Sequence, residues 1–238
     1  MFARFSVCMP RASCSWTAAL AAITLIAVIS AVAAPAPALA GTLVAQIKDR
    51  NGNPVPNAVV YAIPVGVPAP PVSASAVAVV EQQMFKFDPF VTVVQTGTRM
   101  RFPNKDRAEH HLKVLSGPAS FEFKVYTRKE PEPTLLNKSG LVTLQCLIHD
   151  WMNAHIYIVD TPWFGKTGRN GSAVVEGVPA GDYDVYVTHP SVLIPGQISP
   201  AVPRRIKLDA STVNVIEAKL ELVPKPEPTK RFPPTHYE

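Results

Sequence analysis

Cys146, His149 and Met152 stand on one short segment, Cys146-Leu147-Ile148-His149-Asp150-Trp151-Met152. They bring a thiolate, an imidazole and a thioether to one place. Sulfur donors favour Cu(I) and imidazole accepts Cu(II), so this mixture of softness suits copper in both oxidation states. A trigonal site of two histidines and one cysteine, with a weak axial methionine, needs one more imidazole. His110-His111 offers it upstream. Single Cys and Met residues are more often apolar core filler, so spacing alone leaves that alternative open.

The elements that must carry these residues read as strands. Residues 110–115 have a period of two, with His110, Leu112 and Val114 on one face and His111, Lys113 and Leu115 on the other. The first face is apolar, so His110 is expected to be the inward imidazole. Residues 121–126 alternate too, placing Phe121, Phe123 and Val125 inward. Residues 141–147 deliver Cys146 at the end of a strand, and 154–159 lead away. The donors therefore fall where strands end and loops begin. Earlier strands are expected at 43–47, 58–63, 76–87, 90–95 and 98–102, with a tight turn at Asn51-Gly52. Later ones are expected at 172–176, 185–188, 205–208 and 213–222. With 25 prolines and no amphipathic helical stretch of useful length, the chain is expected to be all-β.

Residues 1–40 read as an export signal. Arg4 and Arg11 precede an apolar stretch at 17–34, and Ala38-Leu39-Ala40 supplies the small-residue cleavage pattern. Pro35 and Pro37 argue against a membrane anchor there, and no later segment approaches a spanning length. The expected location is the periplasm or an equivalent exported space. Cys8 and Cys14 leave with the signal, so Cys146 becomes the single cysteine: a free thiol, an intermolecular bridge or a ligand. The formal net charge of +5 is small and scattered, which argues against nucleic-acid binding.

The pattern around these residues resembles a known family. Phe102-Pro103-Asn104 precedes His110 at the spacing of the cupredoxin first-ligand motif, and Met84-Phe85-Lys86-Phe87-Asp88-Pro89 is similar to the family's opening strand. Residues 76–160 resemble cupredoxins, especially those with the short ligand loop of amicyanin. The resemblance implies a Greek-key sandwich that carries electrons on copper. His110, Cys146 and His149 would be the equatorial ligands, Met152 the axial one, and Asn104 would support the Cys146 loop through backbone hydrogen bonds. Phe102-Pro103-Asn104-Lys105-Asp106, His110-His111, the 146–152 segment and Asp160-Thr161-Pro162-Trp163-Phe164 also resemble periplasmic cupredoxin-like proteins labelled methylamine-utilisation proteins. His111 departs from the family, where Asn is usual; it could donate a hydrogen bond, bind copper or face solvent. Trp151 could screen the site, carry electrons or simply pack. His155, His189 and His236 read as structural or surface residues.

The flanks suggest a second, smaller sandwich. Ile47, Asp49, Gly52, Pro54 and Val55, with Val178-Pro179-Ala180-Gly181-Asp182-Tyr183, resemble a carboxypeptidase-regulatory-like β-sandwich. The expected organisation is a signal at 1–40, first sandwich strands at 41–70, an inserted cupredoxin domain at 75–160, the rest of the sandwich at 161–222, and a disordered Pro-rich tail at 223–238. Two sandwiches in tandem are the alternative. The expected function is single-electron transfer between redox protein partners, with copper delivery or a structural module holding a stabilising metal as alternatives. The implied ligand set leaves no open coordination position, and no serine triad, supported carboxylate pair or glycine-rich phosphate loop is present. Both points argue against an enzyme.

Overall fold

The computed structural model describes residues 40–192 and 203–223. The expected signal and tail lie outside these residues, save Ala40 and Val223. Among the described residues there are strands and no helix, and so no helix long and apolar enough to cross a membrane. The strands are β1 (Ala40–Asp49), β2 (Val59–Pro64), β3 (Val77–Val79), β4 (Glu81–Gln83), β5 (Lys86–Asp88), β6 (Val91–Gln95), β7 (Arg99–Arg101), β8 (His110–Ser116) and β9 (Glu122–Tyr126). They continue with β10 (Thr134–Leu135), β11 (Gly140–Cys146), β12 (Asn153–Val159), β13 (Phe164–Lys166), β14 (Ser172–Pro179), β15 (Gly181–Thr188), β16 (Arg204–Leu208) and β17 (Val213–Leu220). The protein is an all-β sandwich fold.

The first two strands pair with the last ones. β1 lies between β14, antiparallel with Ala45 opposite Ala173, and β17, parallel with Val44 opposite Val215. β2 lies between β13 and β15, with Tyr61 opposite Tyr186. Leu43, Ala45 and Ile47 of β1 face Val60 and Ala62 of β2 across one apolar core. Strict alternation along β1 is what one buried face requires. The strands between form a five-stranded sheet, β6-β12-β11-β8-β9, with a smaller β10-β7-β3 sheet and the β4-β5 hairpin. Phe102, Leu112, Leu144, Cys146 and Ile156 share their core.

A third apolar cluster joins the two parts. Val59 and Tyr61 of β2 meet Val91, Tyr157 and Val159 of β6 and β12. β2 and β12 are thus buried on both faces, which is why 58–63 and 156–159 are continuous apolar runs rather than alternating ones.

Several expectations change in detail. Residues 76–87 are not one strand; Met84 and Phe85 take positive φ, 52° and 54°, and turn the chain between β4 and β5. Val125 is exposed rather than inward. The β8–β9 register shifts between His110 and Leu112, so Tyr126 instead stands opposite His110 and packs on the core. β10 and β13 are two and three residues long, too short to leave a period in the sequence.

Candidate metal centre

His110 opens β8 and Cys146 ends β11, and these strands are antiparallel neighbours with Cys146 opposite Leu112. Both side chains are fully buried. Period-two alternation places His110 inward, and His110 is the buried imidazole of the two. The loop that follows is closed by its own backbone: Cys146 N–H donates to Met152 O at 3.0 Å, and Met152 N–H to His149 O at 2.9 Å. Leu147 N–H donates to His111 O at 2.8 Å, tying the loop to β8. This closure returns His149 toward Cys146. Met152 is buried in the same apolar cluster as Cys146.

Three donor atoms converge. Cys146 Sγ lies 3.6 Å from His110 Nδ1 and 3.6 Å from His149 Nδ1, and the two Nδ1 atoms are 3.1 Å apart. An ion held in a trigonal plane by metal–nitrogen bonds of about 2.0 Å and a metal–sulfur bond of about 2.3 Å needs donor separations of roughly 3.5–3.7 Å. The observed triangle matches within a few tenths of an ångström, and a soft thiolate with two imidazoles is a donor set that fits copper. Among the described residues, no other group of three His, Cys, Asp or Glu side chains comes this close together.

Electrostatics favour the ligating form of the sulfur. Burial pushes the Cys146 thiol up, but a hydrogen bond with His110 and backbone N–H groups of His111, His149 and Ile148 outweigh it and bring the pKa to about 6. His110 moves the other way: burial opposes its charge, while Cys146 and Asp106 together raise its pKa.

The surrounding contacts revise the roles expected for several residues. His110 Nε2 lies 3.0 Å from Asp106 Oδ2, the carboxylate–histidine contact that fixes a ligand's tautomer and orientation. Asp106 also accepts the N–H groups of Met84 at 2.7 Å and Phe85 at 3.1 Å. Asn104 does not bond the Cys146 loop; its amide donates to Ala108 O and Tyr126 O and accepts from Asp106 N–H, so it braces the loop before β8. The His111 ring bonds Glu122 at 2.7 Å, and Lys113 reaches the same carboxylate at 3.4 Å. The rings of Phe85 and Trp151 lie 5.0 and 5.2 Å from that of His149. His155 packs on Phe90 and bonds Thr143, and His189 accepts from Ser191 N–H. His236 lies outside the described residues. Asp106 and Phe85 stand in the sequence motifs above, but nothing there gave either of them a role at the site. The signals that could have found them are the four-residue step from Asp106 to His110 and the Asn104-x-Asp106 turn.

No family model and no curated protein matches the chain. Among solved structures, it is similar to the copper-containing nitrite reductase of Thermus scotoductus SA-01, at 26% identity over 40% of this chain and TM-score 0.33. It spans only 25% of that reductase. It is also similar to an amicyanin variant in the Cu(I) state, at 15% identity over 42% of this chain and 97% of that one, TM-score 0.32. A second Cu(I) amicyanin variant is 18% identical over 43% and 98% of the two chains, TM-score 0.32.

Proposed function

We propose that this chain is an exported copper protein that carries single electrons between redox partners, and not an enzyme. The observation that carries the reading is the convergence of Cys146 Sγ with His110 Nδ1 and His149 Nδ1. These three would be the equatorial donors and Met152 the weak axial one. Copper, when bound, supplies the one-electron couple between Cu(I) and Cu(II). The chain's own residues hold the donors in place: β8 and β11 set the spacing of His110 and Cys146, and the self-bonded 147–152 loop sets His149. Little rearrangement is then needed when the charge at the site changes.

The face through which electrons would pass is apolar. Leu147, Ile148 and Trp151 are nearly half exposed on the loop that carries His149, and a redox protein docking there would approach the site closely. The flanking β1/β2/β14–β17 sandwich we read as a carboxypeptidase-regulatory-like docking base without chemistry of its own. The resemblance to proteins labelled for methylamine utilisation and the export-signal pattern of residues 1–40 are what support a periplasmic location. Voltammetry of the copper-loaded protein is expected to give a reversible one-electron couple, with copper retained against a chelator. Copper that passes readily to the chelator would favour the delivery reading instead.

A further inference from the structure

The carboxylate of Asp106 is one-tenth exposed and has partners on two elements. It accepts the N–H groups of Met84 and Phe85 on the β4–β5 turn and meets Nε2 of His110 at the start of β8. Met84 and Phe85 both stand at positive φ, a conformation that is unfavourable for any residue that carries a Cβ. Such a turn persists where something else holds it, and one anion accepting both of its N–H groups does so. The consequence of the turn is positional. It sets the Phe85 ring 5.9 Å from the His110 ring and 5.0 Å from the His149 ring, both edge-to-face.

Asp106 therefore reaches His110 directly and His149 through Phe85. We propose that Asp106 is a positioning residue that sets both imidazoles together, coupling their orientations through one carboxylate and the Met84-Phe85 turn. This rests on reading His110 and His149 as donors to one metal. On the His110 side, Nε2–H donates to the carboxylate, which fixes the ring with Nδ1 as the nitrogen directed at Cys146. On the His149 side, the Phe85 ring edge blocks rotation of an imidazole whose loop position leaves it partly open to solvent. A site built this way is organised before metal arrives.

The test uses the full chain and two substitutions. Asp106→Ala removes every bond; Asp106→Asn keeps the size, but offers one acceptor oxygen where the carboxylate uses two and turns an amide donor toward His110 Nε2–H. In the metal-free protein, NMR signals of the His110 and His149 rings are expected to shift and broaden together, more in Asp106→Ala than in Asp106→Asn. His155 and His189 serve as internal references that stay put. Cu(II) affinity is expected to fall about 10–100-fold in Asp106→Ala. Phe85→Leu, which keeps apolar bulk without the ring, is expected to move the His149 signals in the same direction. A His149 ring unmoved in either Asp106 variant, with the references unchanged, overturns the coupling; should Asp106→Ala fail to fold, Asp106→Asn decides alone. Copper-loaded parent protein without a thiolate charge-transfer band would instead overturn the electron-transfer reading, and the metal-free ring signals would still decide the coupling.

Discussion

His111 shows how much turns on one step along a strand. His110 and His111 are adjacent, yet one faces the thiolate and the other bonds Glu122 on the outer face. Replacing His111 with Asn is therefore expected to keep the copper chromophore, read as an unchanged charge-transfer band, because its ring is not aimed at the sulfur. Loss of the band in His111→Asn would show that the ring matters to the site. His155 is a different kind of buried imidazole. Burial, and then the nearby His189, hold its pKa down from 6.5 to about 4. Between those values the unfolded chain binds a proton that the folded chain refuses. Stability from this residue is whole above pH 6.5 and is lost as pH falls through about 4, with a cost on the order of 3 kcal/mol. In urea titrations at pH 7 and pH 4, the stability gap between parent and His155→Phe is expected to move toward the variant by about that amount; a constant gap would contradict it. The candidate group of His110, Cys146 and His149 was legible because Cys and His are rare and chemically distinct here. Asp106 was not, because a single loop carboxylate looks like solvated surface until the fold sets it against His110.

At the level of elements, turns that the sequence marks clearly also carry geometry. Gly171 has φ 72°, its carbonyl accepts the Ile47 N–H at 2.8 Å, and a Cβ there would lie 2.4 Å from Ile47 O. Gly171→Ala is expected to cost about 2–3 kcal/mol through backbone strain and the push on β1, read as a lower urea midpoint with unchanged slope. A midpoint equal to that of the parent would mean that the turn relaxes freely. Asn51-Gly52, where Gly52 has φ 87°, was readable because few residues tolerate positive φ. The Met84-Phe85 turn was not, since nothing local favours positive φ at a methionine and a phenylalanine; the Asp106 carboxylate, twenty-two residues away from Met84, supplies the reason. Val125 failed for a related cause, because a register shift is a property of two strands and period-two reading sees only one.

Across the whole molecule, the long-range pairing of β1 and β2 with strands from residue 164 onward follows from size: two strands alone bury too little apolar surface to stand in water. The contact between the sandwich and the site-bearing sheet was harder to foresee, because an apolar run reads alike whether one face or both are covered. Tyr157 sits at that contact, 1% exposed and beside Val59 and Tyr61. Tyr157→Ala is expected to cost about 3–5 kcal/mol and to split a single urea transition into two, followed separately by Trp163 fluorescence in a Trp151→Phe background and by copper absorbance. One coincident transition of undiminished stability would show that the cluster does not couple the two parts.

The central claim, a thiolate–imidazole copper site built from His110, Cys146 and His149, meets its most direct test in the visible spectrum of the Cu(II)-loaded protein. The expected result is an intense thiolate-to-Cu(II) band, blue or green, that disappears in Cys146→Ser. A colourless Cu(II) complex of the parent chain would contradict it.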